Sequence, residues 1–154
     1  MKIVSLLDED FVNYKVPTMT IGFPYCSFKC GKKYCQNASL EFADTIEVEP
    51  EELVERFLAN GITQAVCFQG LEPFDSGEDL FALVDAFRKR TDCDIVIYSG
   101  YTQEEVMRHG WIERLCEYEN IVLKVGRFIP NSKPRFEPLL GVTLVSENQY
   151  AVRI

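Results

Sequence analysis

Apolar runs of strand length alternate with amphipathic helical patterns through the middle of the chain, and this alternation limits the fold more than any other feature. Thr18-Met19-Thr20-Ile21-Gly22-Phe23 reads as a strand that begins after Pro17 and is ended by Pro24. Pro50 stands at a first helical position, followed by Glu51 and Glu52 and then by Leu53, Val54, Phe57 and Leu58 on one face, with Asn60-Gly61 closing the helix. A strand is expected at Gln64 to Gln69. The unit then repeats: Ser76-Gly77-Glu78-Asp79 can cap a helix carrying Leu80, Leu83, Val84 and Phe87, and Asp94-Ile95-Val96-Ile97-Tyr98 returns as a short buried strand. Thr102-Gln103-Glu104-Glu105 has the pattern of a capping box opening a third helix, broken near His109-Gly110, and Asn120 to Val125 reads as the next strand.

Strands that alternate with helices form βαβ units, whose parallel strands gather ligands at their C-terminal ends. Four such units are too few for a closed eight-unit barrel. The expectation is therefore α/β, a partial barrel with a parallel sheet, in one domain spanning residues 1–154. From Arg127 the tail carries Pro130, Pro134, Pro138 and Gly141, so it should lie over the core as a long loop with one small strand at Val142 to Val145.

The chain is 47% hydrophobic and 26% charged, which excludes intrinsic disorder. A net charge of −8 argues against a general nucleic-acid or anionic-membrane binder. Acids at Asp8, Glu9 and Asp10 interrupt the N-terminus before any signal-peptide core is complete, and no run reaches membrane-spanning length, so a cytoplasmic protein is expected.

Of the six cysteines, three fall together as Cys26-Ser27-Phe28-Lys29-Cys30-Gly31-Lys32-Lys33-Tyr34-Cys35, while Cys67, Cys93 and Cys116 stand alone and read as small core residues. In a reducing compartment, clustered thiols point to a metal or redox site rather than a disulfide framework, with the nearby lysines expected to lower their pKa. Tetrahedral zinc would need a fourth ligand, for which His109 or Cys67 could serve. An iron-sulfur cube needs only three thiolates if its fourth iron is left open. His109 otherwise reads as a helix C-terminal residue. No Cys-His pair, nucleophile elbow or Walker loop is present.

Three strand ends carry polar turns that topology brings to the cysteine loop: Gln69-Gly70-Leu71-Glu72-Pro73, Tyr98-Ser99-Gly100-Tyr101 and Leu123-Lys124-Val125-Gly126. Gly70 would let backbone approach a ligand closely, Glu72 offers a carboxylate suited to an ammonium group, and Lys124 could pair with a carboxylate.

These segments resemble the radical S-adenosylmethionine enzymes, and among them the small glycyl-radical activases that serve anaerobic ribonucleotide reductase. Asp10-Phe11-Val12-Asn13-Tyr14 and the strand into Cys26, Cys30 and Cys35 resemble the family's approach to its cluster loop, although the spacing is C-x3-C-x4-C rather than the commoner C-x3-C-x2-C. Two extra residues must loop out. Phe68-Gln69-Gly70-Leu71-Glu72-Pro73 resembles the Gly-Gly-Glu-Pro turn, with Gln69 in place of the first glycine. Ile97-Tyr98-Ser99-Gly100-Tyr101 resembles the activases' Tyr-Thr-Gly-Tyr segment, and Gly126-Arg127-Phe128 with Val145-Ser146-Glu147-Asn148-Gln149 resembles their closing segments.

The resemblance implies a 4Fe-4S cluster on Cys26, Cys30 and Cys35 that binds and reductively cleaves S-adenosylmethionine. Gly70 and Glu72 would hold its methionyl amino group, Lys124 would meet its carboxylate, and Ser99 and Asn148 would touch its ribose or methionine. No side-chain acid-base pair is implied, because the cofactor carries the chemistry. The implied partners are a large glycyl-radical enzyme, the anaerobic ribonucleotide reductase, and a reductant such as flavodoxin or ferredoxin. A radical enzyme acting on another peptide or small molecule, and a non-enzymatic zinc or iron-sulfur module, are the alternatives.

Overall fold

Side chains alternate along each central strand between two buried faces, and this alternation organises the computed structural model, which describes residues 1–154. In chain order the elements are β1 (Lys2–Ile3), β2 (Ser5–Asp10), β3 (Thr18–Phe23), β4 (Ile46–Glu47), α1 (Pro50–Ala59), β5 (Ala65–Gly70), α2 (Glu78–Arg88) and β6 (Asp94–Tyr98). They continue as α3 (Gln103–Arg108), α4 (Trp111–Leu115), β7 (Ile121–Val125), β8 (Arg135–Glu137), β9 (Val142–Leu144) and β10 (Tyr150–Arg153).

The main sheet has six strands in the order β10-β7-β6-β5-β3-β2. Its four inner strands are parallel, and β2 and β10 add antiparallel edges. The expected parallel α/β core is present, in chain order, within a mixed sheet. Register places Met19, Val66, Ile95 and Ile121 in one row, and Ile21, Phe68, Ile97 and Leu123 in the next. Both rows pack with Leu53, Leu83, Val84 and Phe87 of the helices in one apolar cluster, so the helices lie on the same face of the sheet. Each large side chain buried there contributes about 1.5–3 kcal/mol by leaving water.

The intervening positions, Ala65, Cys67, Val96 and Val122, face the other way into a smaller cluster closed by Tyr14, Leu140 and Leu144. The tail therefore covers the second face, as expected, but with more structure than a long loop. It forms the β8-β9 hairpin and then enters the main sheet as β10. The N-terminal strands β1 and β2 were likewise not marked by the sequence pattern.

The start of α2 corrects a sequence expectation. Residues Pro73–Ser76 form a 3-10 turn, Gly77 at φ 58° occupies the N-cap, and no side chain caps the helix. The capping box of α3 forms as expected, with the hydroxyl of Thr102 accepting from Glu105 N and the carboxylate of Glu105 accepting from Thr102 N. No helix is long and apolar enough to cross a membrane.

Candidate functional site

Pro24 ends β3 and turns the chain into the cysteine loop at the C-terminal end of the parallel strands. The amide of Phe28, at φ 50°, donates to Cys26 Sγ at 3.1 Å. Gly31, at φ 88°, leads into a 3-10 turn over Lys32–Tyr34, which absorbs the wider spacing before Cys35 with its side chains exposed. The loop is clasped from below by one carboxylate. Asp75 accepts from Ser27 N at 2.5 Å and from the Tyr101 hydroxyl at 2.5 Å. The following turn is held to β5, where Asn37 Nδ2 donates to Gly70 O at 3.0 Å.

Gly70 is fixed by close approach. At φ 100° its backbone is left-handed, and a Cβ there would lie 2.6 Å from Phe23 N. No side chain fits.

Cys26, Cys30 and Cys35 line one cavity together with Lys29, Glu72, Tyr101 and Arg127. Burial pushes the Cys26 thiol up to about 11 and raises that of Cys30, where neighbouring Cys35 adds to the effect. The expected lowering by lysines is not seen at Cys26 or Cys30, where desolvation dominates. Lys29 sits 4.5 Å over the Tyr101 ring, Lys32 pairs with Glu41, and Lys33 lies over Tyr34. A metal must therefore displace protons from these thiols as it binds.

Glu72 is buried at the wall of the same cavity. It accepts from Ser99 Oγ at 2.9 Å, Gly100 N at 2.8 Å and Phe74 N at 3.3 Å, yet burial raises its pKa to about 7. Ser99 lies behind it: the hydroxyl donates to Glu72 and accepts from Tyr101 N at 3.0 Å, so this residue positions the carboxylate and lines neither cavity.

A second cavity, of about 480 Å³, shares Cys30, Cys35 and Gly100 with the first and opens over the second face of the sheet. Lys124 reaches into it from β7. Its ammonium donates to Gly126 O at 3.0 Å and Ser99 O at 3.4 Å and forms no ion pair, and burial lowers its pKa to about 8. Gln69, Gly70, Asn37 and Gln149 line the same space, and no Asp or Glu does. An anionic group entering this cavity would meet one buried cation and several amides.

Asn148 is exposed and lines a further cavity with Lys29, Cys30 and Arg127, and its Nδ2 donates to Arg127 O at 3.0 Å. Cys67 is buried in the sheet and His109 stacks on Trp111, with centroids 4.3 Å apart, so neither stands at the cysteine cavity. Cys116 is exposed rather than a core residue. Asp75 carried no sequence signal as a site residue, and Arg127 stood out only within the Gly126-Arg127-Phe128 segment with no role attached; both reach the loop through tertiary approach.

Residues 18–149 match the family described as the 4Fe-4S single cluster domain. The chain belongs to that family. No curated protein and no solved structure matches it. The residues present suit a 4Fe-4S cluster domain. A cube takes each cysteine on a different iron, so its ligands should surround a cavity, as Cys26, Cys30 and Cys35 do. The other three cysteines lie away from the cavity.

Proposed function

We propose that this 4Fe-4S domain is a radical S-adenosylmethionine enzyme of the glycyl-radical activase type, acting on a large anaerobic ribonucleotide reductase. The observation that carries this reading is the convergence of three thiols, a buried carboxylate and a buried ammonium without an ion-pair partner on two adjoining cavities at the C-terminal ends of the parallel strands. Held by Cys26, Cys30 and Cys35, a cluster would supply the one electron for reductive cleavage of S-adenosylmethionine, the chemistry by which a hydrogen would be taken from the partner's glycine.

The chain's own residues bind and orient. Glu72 is set by Ser99 and Gly100 to receive an ammonium group, whose charge would draw the carboxylate into its ionised form. Lys124, without a carboxylate partner, suits the ligand's carboxylate. Gly70 keeps β5 flush with β3 so that the ligand can lie against backbone. One-sided helices joining parallel strands in chain order suit a sector of a barrel, and the second cavity, between the sheet and the tail, would be where a glycine loop of a large partner enters. A flavodoxin or ferredoxin would deliver the electron.

Anaerobic iron-sulfide reconstitution followed by reduction with S-adenosylmethionine tests the proposal. Wild type is expected to form 5′-deoxyadenosine and Cys30→Ala none. A wild type that assembles its cluster and leaves S-adenosylmethionine intact, with and without a reductase partner, would overturn it, and stable uptake of one zinc would favour a binding module.

A further inference from the structure

Arg127 fronts the cysteine cavity without being a ligand. It follows Gly126, which at φ 100° ends β7 and leaves only 2.9 Å between a would-be Cβ and Asn148 O, so the backbone carrying the guanidinium is closely fixed. Its Nη2 donates to Glu105 Oε1 at 2.7 Å, and both side chains are about three-quarters buried, with exposures of 25% and 23%. Glu105 is pinned in turn by the capping box, where Oε2 accepts from Thr102 N at 2.9 Å. The pair is ordered, with the cation lining the cavity and the anion set behind it. The remaining N–H donors of the guanidinium have no partner in the protein.

We propose that Arg127, held by Glu105, is a positioning residue that sets the reduction potential of the cluster held by Cys26, Cys30 and Cys35. The inference rests on that placement of the cluster. Reduction adds one negative charge to the cavity, and a fixed cation at its wall, with free donors for sulfur, favours the reduced state. Glu105 screens part of that charge. The two residues therefore act in opposite directions, which a purely structural role for either would not produce.

The test is an anaerobic redox titration of reconstituted protein followed by electron paramagnetic resonance, without S-adenosylmethionine. Arg127→Gln is expected to shift the one-electron equilibrium about tenfold toward the oxidised cluster, a fall of about 59 mV. Glu105→Gln, which keeps an acceptor for Thr102 N but removes the negative charge, should raise the potential. Arg108→Gln makes the same charge change at an exposed position outside the cavity and should leave it unmoved. Equal midpoints throughout, or shifts of one sign in both cavity variants, would overturn the inference. If Arg127→Gln assembles no cluster, the Glu105→Gln rise alone decides. Iron and sulfide contents of wild type and Cys30→Ala separately test the cluster's placement; a cluster that survives Cys30→Ala would remove that placement and this inference together.

Discussion

At Glu72, burial outweighs hydrogen bonding. Three donors on one carboxylate ordinarily hold its pKa low, yet sealing the group away from water raises it to about 7 from an ordinary 4.5. The consequence for stability has a definite sign. A carboxyl whose folded pKa lies above its unfolded value binds protons more tightly when folded, so its contribution is fully present below about pH 4.5 and is lost as pH rises through about 7. In the cluster-free protein, wild type should therefore lose about 2 kcal/mol relative to Glu72→Gln between about pH 5.5 and 8. Urea unfolding of both proteins at the two pH values measures this, and parallel pH profiles would refute it. The same residue was visible in the sequence as the glutamate of a Gly-Leu-Glu-Pro turn, but its burial was not, because Ser99 and Gly100 reach it from another strand end.

Among the elements, the two helix starts that carried sequence signals behave differently, and the difference is measurable. Thr102 caps α3 with both halves of its box formed, so Thr102→Ala should cost about 1 kcal/mol. Ser76 does not cap α2; its hydroxyl is buried without a partner, and Ser76→Ala should stabilise by about 1 kcal/mol. Chemical denaturation gives both values, and a loss at Ser76 would show that the hydroxyl finds a partner in solution. The misreading arises because Pro73 starts a 3-10 turn that carries Ser76 past the cap, a matter of backbone path that composition does not reveal. Strands β3, β5, β6 and β7 were legible because each is a short, mostly apolar run, buried on both faces and bounded by turn residues. The edge strands were not. In β2, Ser5 to Asp10 is half acidic, and in β10, Tyr150 to Arg153 has no fully buried residue, so the partner strand rather than a hydrophobic pattern defines them.

For the whole molecule, the site and the core are separate. Residues 26–36 contain no buried side chain, whereas the sheet has an apolar cluster on each face. The spacing of the cysteines announced a site, and the alternation of strands and helices announced where ligands would gather. Arg127 and Asp75 became part of it only once the chain closed on itself. The separation distinguishes this protein from small metal domains whose fold is supplied by metal binding. Packing between α1, α2 and the sheet involves no residue of the loop, so cluster loss should cost the core little. The loop depends instead on one bond from Ser27 N to Asp75, a carboxylate that Tyr101 also holds, and on one between Asn37 and Gly70. Anaerobic chelation of the reconstituted protein should therefore leave its far-UV circular dichroism and the hydrogen-exchange protection of β3, β5, β6 and β7 unchanged, while amides between residues 26 and 36 exchange faster. Cooperative loss of the sheet on chelation would show that the cluster holds the fold together, and would place the cysteines within its core energetics rather than at its working edge.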